Sequence, residues 1–276
     1  MTIVPKAKEL AILERSFLSA GLTRLAGIFG RVNHAVKQTQ TNGKFDPPRV
    51  ENPVAVVGDI HGRLDLLDLL LDKLAQEASD ANLIFVGDYV DRGPDARAVI
   101  DRLRALGDDA VCLKGNHEAM LLEFLDDPIE GGGRWLRNGG DQTLASYGIA
   151  LSENSSVDDV MAASSALRIA LADGAETWLR GLPLFWQSGT LLVTHAGPDP
   201  AMPIEGQDDR VFLWGHDRFL RNMRSDGLWV AHGHWIRERP SCADRRIAVD
   251  TGAWATGRLT AAVIGLDGSV RFVATA

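Results

Sequence analysis

Five short apolar runs in this chain each lead directly into a residue able to bind a metal, and this limits the available folds more than any other feature. Val54-Ala-Val-Val runs into Gly58-Asp59-Ile60-His61-Gly62, and Leu83-Ile-Phe-Val into Gly87-Asp88. Val111-Cys-Leu-Lys runs into Gly115-Asn116-His117, Leu191-Leu-Val-Thr into His195, and Trp229-Val-Ala into His232-Gly233-His234. Between the first three runs lie stretches with helical spacing, Leu64–Leu74, Asp95–Leu106 and Glu118–Leu125. Short buried strands alternating with helices predict parallel βαβ units and an α/β fold. In open α/β sheets, groups beyond the carboxyl ends of neighbouring strands converge on one crevice. Two aspartates, one asparagine and three or four histidines are therefore expected in one place.

The rest of the chain frames this core. Lys6–Val36 reads as one or two helices with apolar residues at Leu18, Leu22, Leu25, Phe29 and Val32. Residues 1–38 carry six basic side chains against two acidic ones, a net of +4, whereas the remainder carries −12. An extra packed helix is the plain reading. Peripheral contact with a membrane or a partner is the alternative for a basic amphipathic helix. Gln38–Pro53 reads as a linker, so residues 1–50 are expected to be an N-terminal helical extension and residues 51–276 the main domain. Asp126–Leu182 shows helical stretches and the run Gly131-Gly132-Gly133 but no convincing strand, which predicts a helical insert over about 128–182. Strands resume at Leu191–Thr194, Leu228–Ala231, Ile247–Val249, Leu259–Ile264 and Val270–Ala274. Their short connections predict a second, partly antiparallel sheet.

Composition excludes some functions. The net charge of −8 argues against a general nucleic-acid binder. It leaves phosphorylated substrates open, because bound cations can dominate local charge. Two cysteines, Cys112 and Cys242, do not make a disulfide framework, and a reducing, cytoplasmic setting is expected. No apolar run is long enough to span a bilayer, and Lys6, Lys8, Glu9, Glu14 and Arg15 interrupt any signal-peptide core. Nothing in the sequence names an oligomeric state.

Taken one at a time, the polar residues have bland explanations. Asp88 or Asn116 could cap a helix, and His195 could be a satisfied core histidine. Their joint occurrence, in order and each at a strand end, points to a metal centre. Carboxylate, amide oxygen and imidazole together suit Mn, Fe or Zn better than Ca. The glycines beside Asp59, Asp88, Asn116 and His234 would permit tight turns and close backbone approach.

These segments resemble the calcineurin-like metallophosphoesterases, and more narrowly the bacterial and phage serine/threonine phosphatases of the phosphoprotein phosphatase family. The matching stretches are Gly58-Asp-Ile-His-Gly62, Gly87-Asp-Tyr-Val-Asp-Arg-Gly93, Gly115-Asn-His-Glu118, His195-Ala-Gly197, Gly233-His234, Asp250-Thr-Gly-Ala253 and Gly257-Arg-Leu259. Within the insert only Trp135 and Asn138-Gly139-Gly140 look familiar. The resemblance implies an α/β/β/α sandwich of two mixed sheets holding two divalent metal ions about 3.5–4 Å apart, Mn first, with Fe or Zn as alternatives. It implies Asp59 and His61 on the first metal, Asp88 bridging, and Asn116, His195 and His234 on the second, with His232 as the alternative to His234. A hydroxide bridging the metals would attack phosphorus in line. Arg92 and Arg218 would bind phosphate. His117 would protonate the leaving oxygen, with Asp91 orienting it. Asp250 would lie just behind the site, and Glu118 reads as a first-turn helix residue. The implied activity is a phosphomonoesterase acting on phosphorylated proteins or small phosphoesters. The alternatives are hydrolysis of symmetrical dinucleoside polyphosphates or a binding protein with a decayed site.

Overall fold

The computed structural model describes residues 45–152 and 155–276. The expected N-terminal helix over Lys6–Val36 lies outside the described residues. The domain begins with β1 (Val54–Val57), α1 (Leu64–Glu77), β2 (Asn82–Phe85), α2 (Ala96–Arg104) and β3 (Ala110–Cys112). A helical stretch follows: α3 (Asn116–Asp126), α4 (Pro128–Trp135), α5 (Asp141–Ser146), α6 (Val157–Ala170) and α7 (Ala175–Gly181). The chain then forms β4 (Phe185–Ser188), β5 (Leu191–Thr194), α8 (Asp209–Trp214) and β6 (Trp229–His232). It ends with β7 (Ser241–Ala243), β8 (Arg246–Ala248), α9 (Ala253–Thr256), β9 (Thr260–Ile264) and β10 (Val270–Ala274).

These strands make two five-stranded mixed sheets, ordered β10-β9-β1-β2-β3 and β4-β5-β6-β8-β7. β1, β2 and β3 run parallel, as do β5, β6 and β8. The period-two pattern explains how β1, β5, β6 and β9 are buried on both faces. Val54 and Val56 of β1 face a core shared with Val193 of β5, Ala231 of β6 and Ile247 of β8. Ala55 and Val57 face the opposite way, onto Leu67 and Leu70 of α1 and Val99 of α2. The far face of the second sheet, with Leu192 and Val230, is covered by Ile204, Phe212 and Phe219.

The helical insert is present as expected, and Trp135, Leu144, Leu167 and Leu179 bury it against the helical side of the first sheet. The late strands need one correction. β9 and β10 do not join the second sheet; β9 pairs antiparallel with β1 and with β10, closing the first. A short connection fixes an antiparallel hairpin but not the sheet that the hairpin joins. No described helix is long and apolar enough to cross a membrane.

Candidate active site

The site forms where β1, β2, β3, β5 and β6 end, so both sheets contribute to it. Sharp turns are required there, and five non-glycine site residues adopt positive φ: His61 (48°), Asp88 (57°), Asp91 (69°), Arg92 (69°) and His234 (61°). Such conformations persist only where surrounding contacts over-determine them, and they cluster at functional sites. The glycines confirm the expected close approach. A Cβ on Gly115 would overlap Asp88 Oδ1, and one on Gly233 would overlap Asp59 Oδ1.

Glu118 supplies one of the over-determining contacts. Its carboxylate accepts the backbone N–H groups of Asp88 (2.8 Å), Tyr89 (2.8 Å), Val90 (3.3 Å) and Gly115 (2.9 Å). It is indeed a first-turn residue, of α3, but it also clamps the loop that carries Asp88. The helix begins at Asn116, two residues earlier than expected, so the His117 N–H donates to Asp88 Oδ1 at 3.0 Å.

Two groups of potential ligands share Asp88. His61, Asp88 and His117 form one, and Asp88, His195 and His234 the other; within each, the donor atoms lie within 4.8 Å of one another. The tautomers follow from the hydrogen bonds. His61 Nδ1 donates to the Val90 carbonyl at 2.9 Å and His195 Nδ1 to the Val86 carbonyl at 3.2 Å. Burial pushes both imidazoles well below their ordinary pKa, so both are neutral and each Nε2 carries a lone pair. His195 Nε2 then faces Asn116 Oδ1 at 2.8 Å and Asp88 Oδ1 at 3.4 Å. Acceptors meeting without a proton between them are what a cation would resolve. Burial also holds the carboxyls of Asp59 and Asp88 well above the usual range, with Asp250 and Asp88 adding repulsion at Asp59. The donor set therefore fits divalent cations.

Asp59 stands apart from both groups. It is buried and accepts the His234 N–H at 3.1 Å, and it adjoins Asp250, whose carboxyl burial raises to about 6. His232 is in neither group. Its Nδ1 donates to the Gly233 carbonyl at 3.0 Å, and its ring packs edge-on against Phe219 with centroids 4.9 Å apart.

The remaining expected residues divide. His117 Nδ1 donates to Asp91 Oδ2 at 2.6 Å, and its ring meets that of His61 at 4.6 Å. Arg92 Nη1 lies 3.2 Å from His61 Nε2, and its guanidinium sits 5.4 Å from the Trp254 ring centroid. Arg218 is not brought in. It is exposed, and among the described residues its guanidinium makes no hydrogen bond or ion pair; its backbone N–H donates to His216 Nδ1, and its carbonyl accepts the N–H groups of Arg221 and Asn222.

A calcineurin-like phosphoesterase profile matches residues 52–238, more than half of the chain. The chain belongs to the calcineurin-like phosphoesterases. Among its relatives in this family, serine/threonine-protein phosphatase 1 of Salmonella typhimurium is 30% identical over 218 residues, 76% of this chain and 91% of that one. Serine/threonine-protein phosphatase 2 of Escherichia coli is 45% identical over 87 residues, 31% of this chain and 38% of that protein. A symmetrical bis(5'-nucleosyl)-tetraphosphatase of Janthinobacterium is 34% identical over 145 residues, 52% of this chain and 43% of that enzyme. The chain thus spans less than half the length of these last two. A solved putative diadenosine tetraphosphatase shares the fold, with a TM-score of 0.57 at 24% identity over 82% of this chain and 95% of that one.

Proposed function

We propose that the chain is a metal-dependent phosphomonoesterase acting on phosphoserine and phosphothreonine in proteins. The observation that carries this reading is the buried His117–Asp91 pair at 2.6 Å. A serine or threonine alkoxide is a strong base and leaves only if it is protonated, so a dedicated donor belongs with that substrate class. The Salmonella relative, matched over 91% of its length, supports the same class. Hydrolysis of symmetrical dinucleoside polyphosphates is the second reading. The Janthinobacterium relative favours it, but its nucleotide leaving group is a weak base with less need of a donor.

In this reading Asp59 and His61 would hold one cation, Asn116, His195 and His234 the other, and Asp88 would serve both. The cations, with Mn first among them, supply an acidified water and positive charge at the phosphoryl oxygens. Arg92 receives the phosphate beside His61. Arg218, with no partner at the site, would swing in with substrate. His117 Nε2 delivers the proton while Asp91 fixes its ring and opposes the burial that holds this imidazole well below its ordinary pKa. Two free thiols, buried enough that Cys112 is raised to about 12 and Cys242 to about 11, accord with a reducing, cytoplasmic setting. The deciding experiment is a side-by-side kinetic comparison of phosphoserine peptides and diadenosine tetraphosphate with defined metals. A higher kcat/KM on the peptide is expected; preference for the dinucleotide would establish the second reading.

A further inference from the structure

The helical insert reaches further into the site than a wall would. Asp91 is fully buried, and both its oxygens are engaged. Oδ1 accepts Thr143 Oγ1 at 2.7 Å and Trp135 Nε1 at 3.0 Å. Oδ2 accepts the same indole N–H at 3.0 Å and His117 Nδ1 at 2.6 Å. Thr143 Oγ1 in turn accepts the Asp91 backbone N–H at 2.8 Å. Trp135, itself fully buried, is fixed by Phe124 at a centroid distance of 4.7 Å and by Gly140, where a Cβ would collide with the indole. With no exposed atom in this arrangement, water cannot replace either donor.

We infer that Trp135 and Thr143 of the insert are positioning residues for the proton donor, orienting the Asp91 carboxylate so that one oxygen stays on His117 Nδ1. The inference rests on the phosphomonoesterase reading. In that reaction the ester P–O bond breaks, and its electron pair passes to the leaving oxygen, which takes the proton from His117 Nε2. The oxygen of water forms the new bond to phosphorus, and a proton released from that water restores His117. If Asp91 rotates, His117 loses the hydrogen-bond partner that holds its ring with Nε2 facing the site. The loss should be selective. An aliphatic alkoxide needs the proton; p-nitrophenolate, a weak base, leaves without it.

The test uses the full chain with Mn, comparing a phosphoserine peptide with p-nitrophenyl phosphate for Trp135→Phe, Thr143→Val and Thr143→Ser. Both Trp135→Phe and Thr143→Val are expected to lower kcat on the peptide at least about tenfold more than on the aryl ester, within the range of general-acid effects. Thr143→Ser should restore the peptide rate. Equal losses on both substrates would overturn the inference, because a merely structural role does not distinguish leaving groups. The metal-free chain gives an independent reading by proton NMR. The short His117 Nδ1–H···Asp91 bond should give a far-downfield resonance, shifted or broadened in Thr143→Val, and an unchanged resonance would also overturn the inference. If the wild-type chain ignores phosphoserine, the functional reading fails, and the resonance alone decides the positioning role.

Discussion

Asp88 is the residue on which both histidine groups depend. Its Oδ2 faces His61 at 3.5 Å and its Oδ1 faces His195 at 3.4 Å. Neither contact is an ion pair, since both imidazoles are neutral, and the proposed reading makes Asp88 the bridging carboxylate. Asp88→Asn should abolish nearly all activity and lower metal content by at least one equivalent, measured by elemental analysis of desalted protein. Full activity with two ions retained would refute bridging. The two histidines flanking Gly233 make a sharper pair. His234→Ala should lose a metal. His232→Ala should keep both ions and lose stability only, by about 1–3 kcal/mol for a truncated buried ring, read from denaturant midpoints. The reverse pattern would reassign the ligand. His117→Asn should lower kcat far more than KM while leaving metal content intact; loss of an ion would make His117 a ligand instead of a donor.

At the scale of elements, close contacts fix both the site loops and the insert. In the insert, Gly140 lies against the buried Trp135 ring. Gly140→Ala should destabilise by about 1–3 kcal/mol through overpacking and lower the phosphoserine rate along with it; a neutral effect on both would show that the indole can move. The strand ends bearing Asp59, Asp88, Asn116, His195 and His234 were legible in the sequence because an apolar run leading into a polar residue, with a glycine just before it in all but His195, is a local signal. Asp91's dependence on Thr143 was not, since a threonine 52 positions away carries no local mark. Glu118 was read as a helix residue, and its four backbone partners could not be seen. β7 was missed because the turn into β8 is formed by Asp244 and Arg245 at positive φ, without the glycine or asparagine that usually announces a hairpin. β4 was missed because it is an edge strand with Phe185 left 40% exposed, so its apolar pattern is weak.

On the scale of the whole molecule, the protein carries a net charge of −8 and concentrates buried carboxylates at the junction of its sheets. Without cations, Asp59, Asp88 and Asp250 must stay buried close to one another, which opposes folding. Chelation should therefore lower Tm. At a hundredfold excess over Kd each ion contributes about 2.7 kcal/mol, and for a domain of this size that is about 5–10 °C. Calorimetry with and without EDTA checks it, and an unchanged Tm would mean that the donor set does not bind cations in solution.

The candidate ligands also come from both sheets, Asp88 and Asn116 from the first and His195 and His234 from the second. A filled site would then be a removable cross-link between two halves that otherwise meet through a shared apolar core and a few hydrogen bonds, such as that from the Lys114 N–H to the Pro183 carbonyl. Its grip should appear in kinetics more than in structure: sliding of one sheet over the other becomes the slow step of unfolding, and amide protons of β1, β2, β5 and β6 should exchange together once the ions are gone.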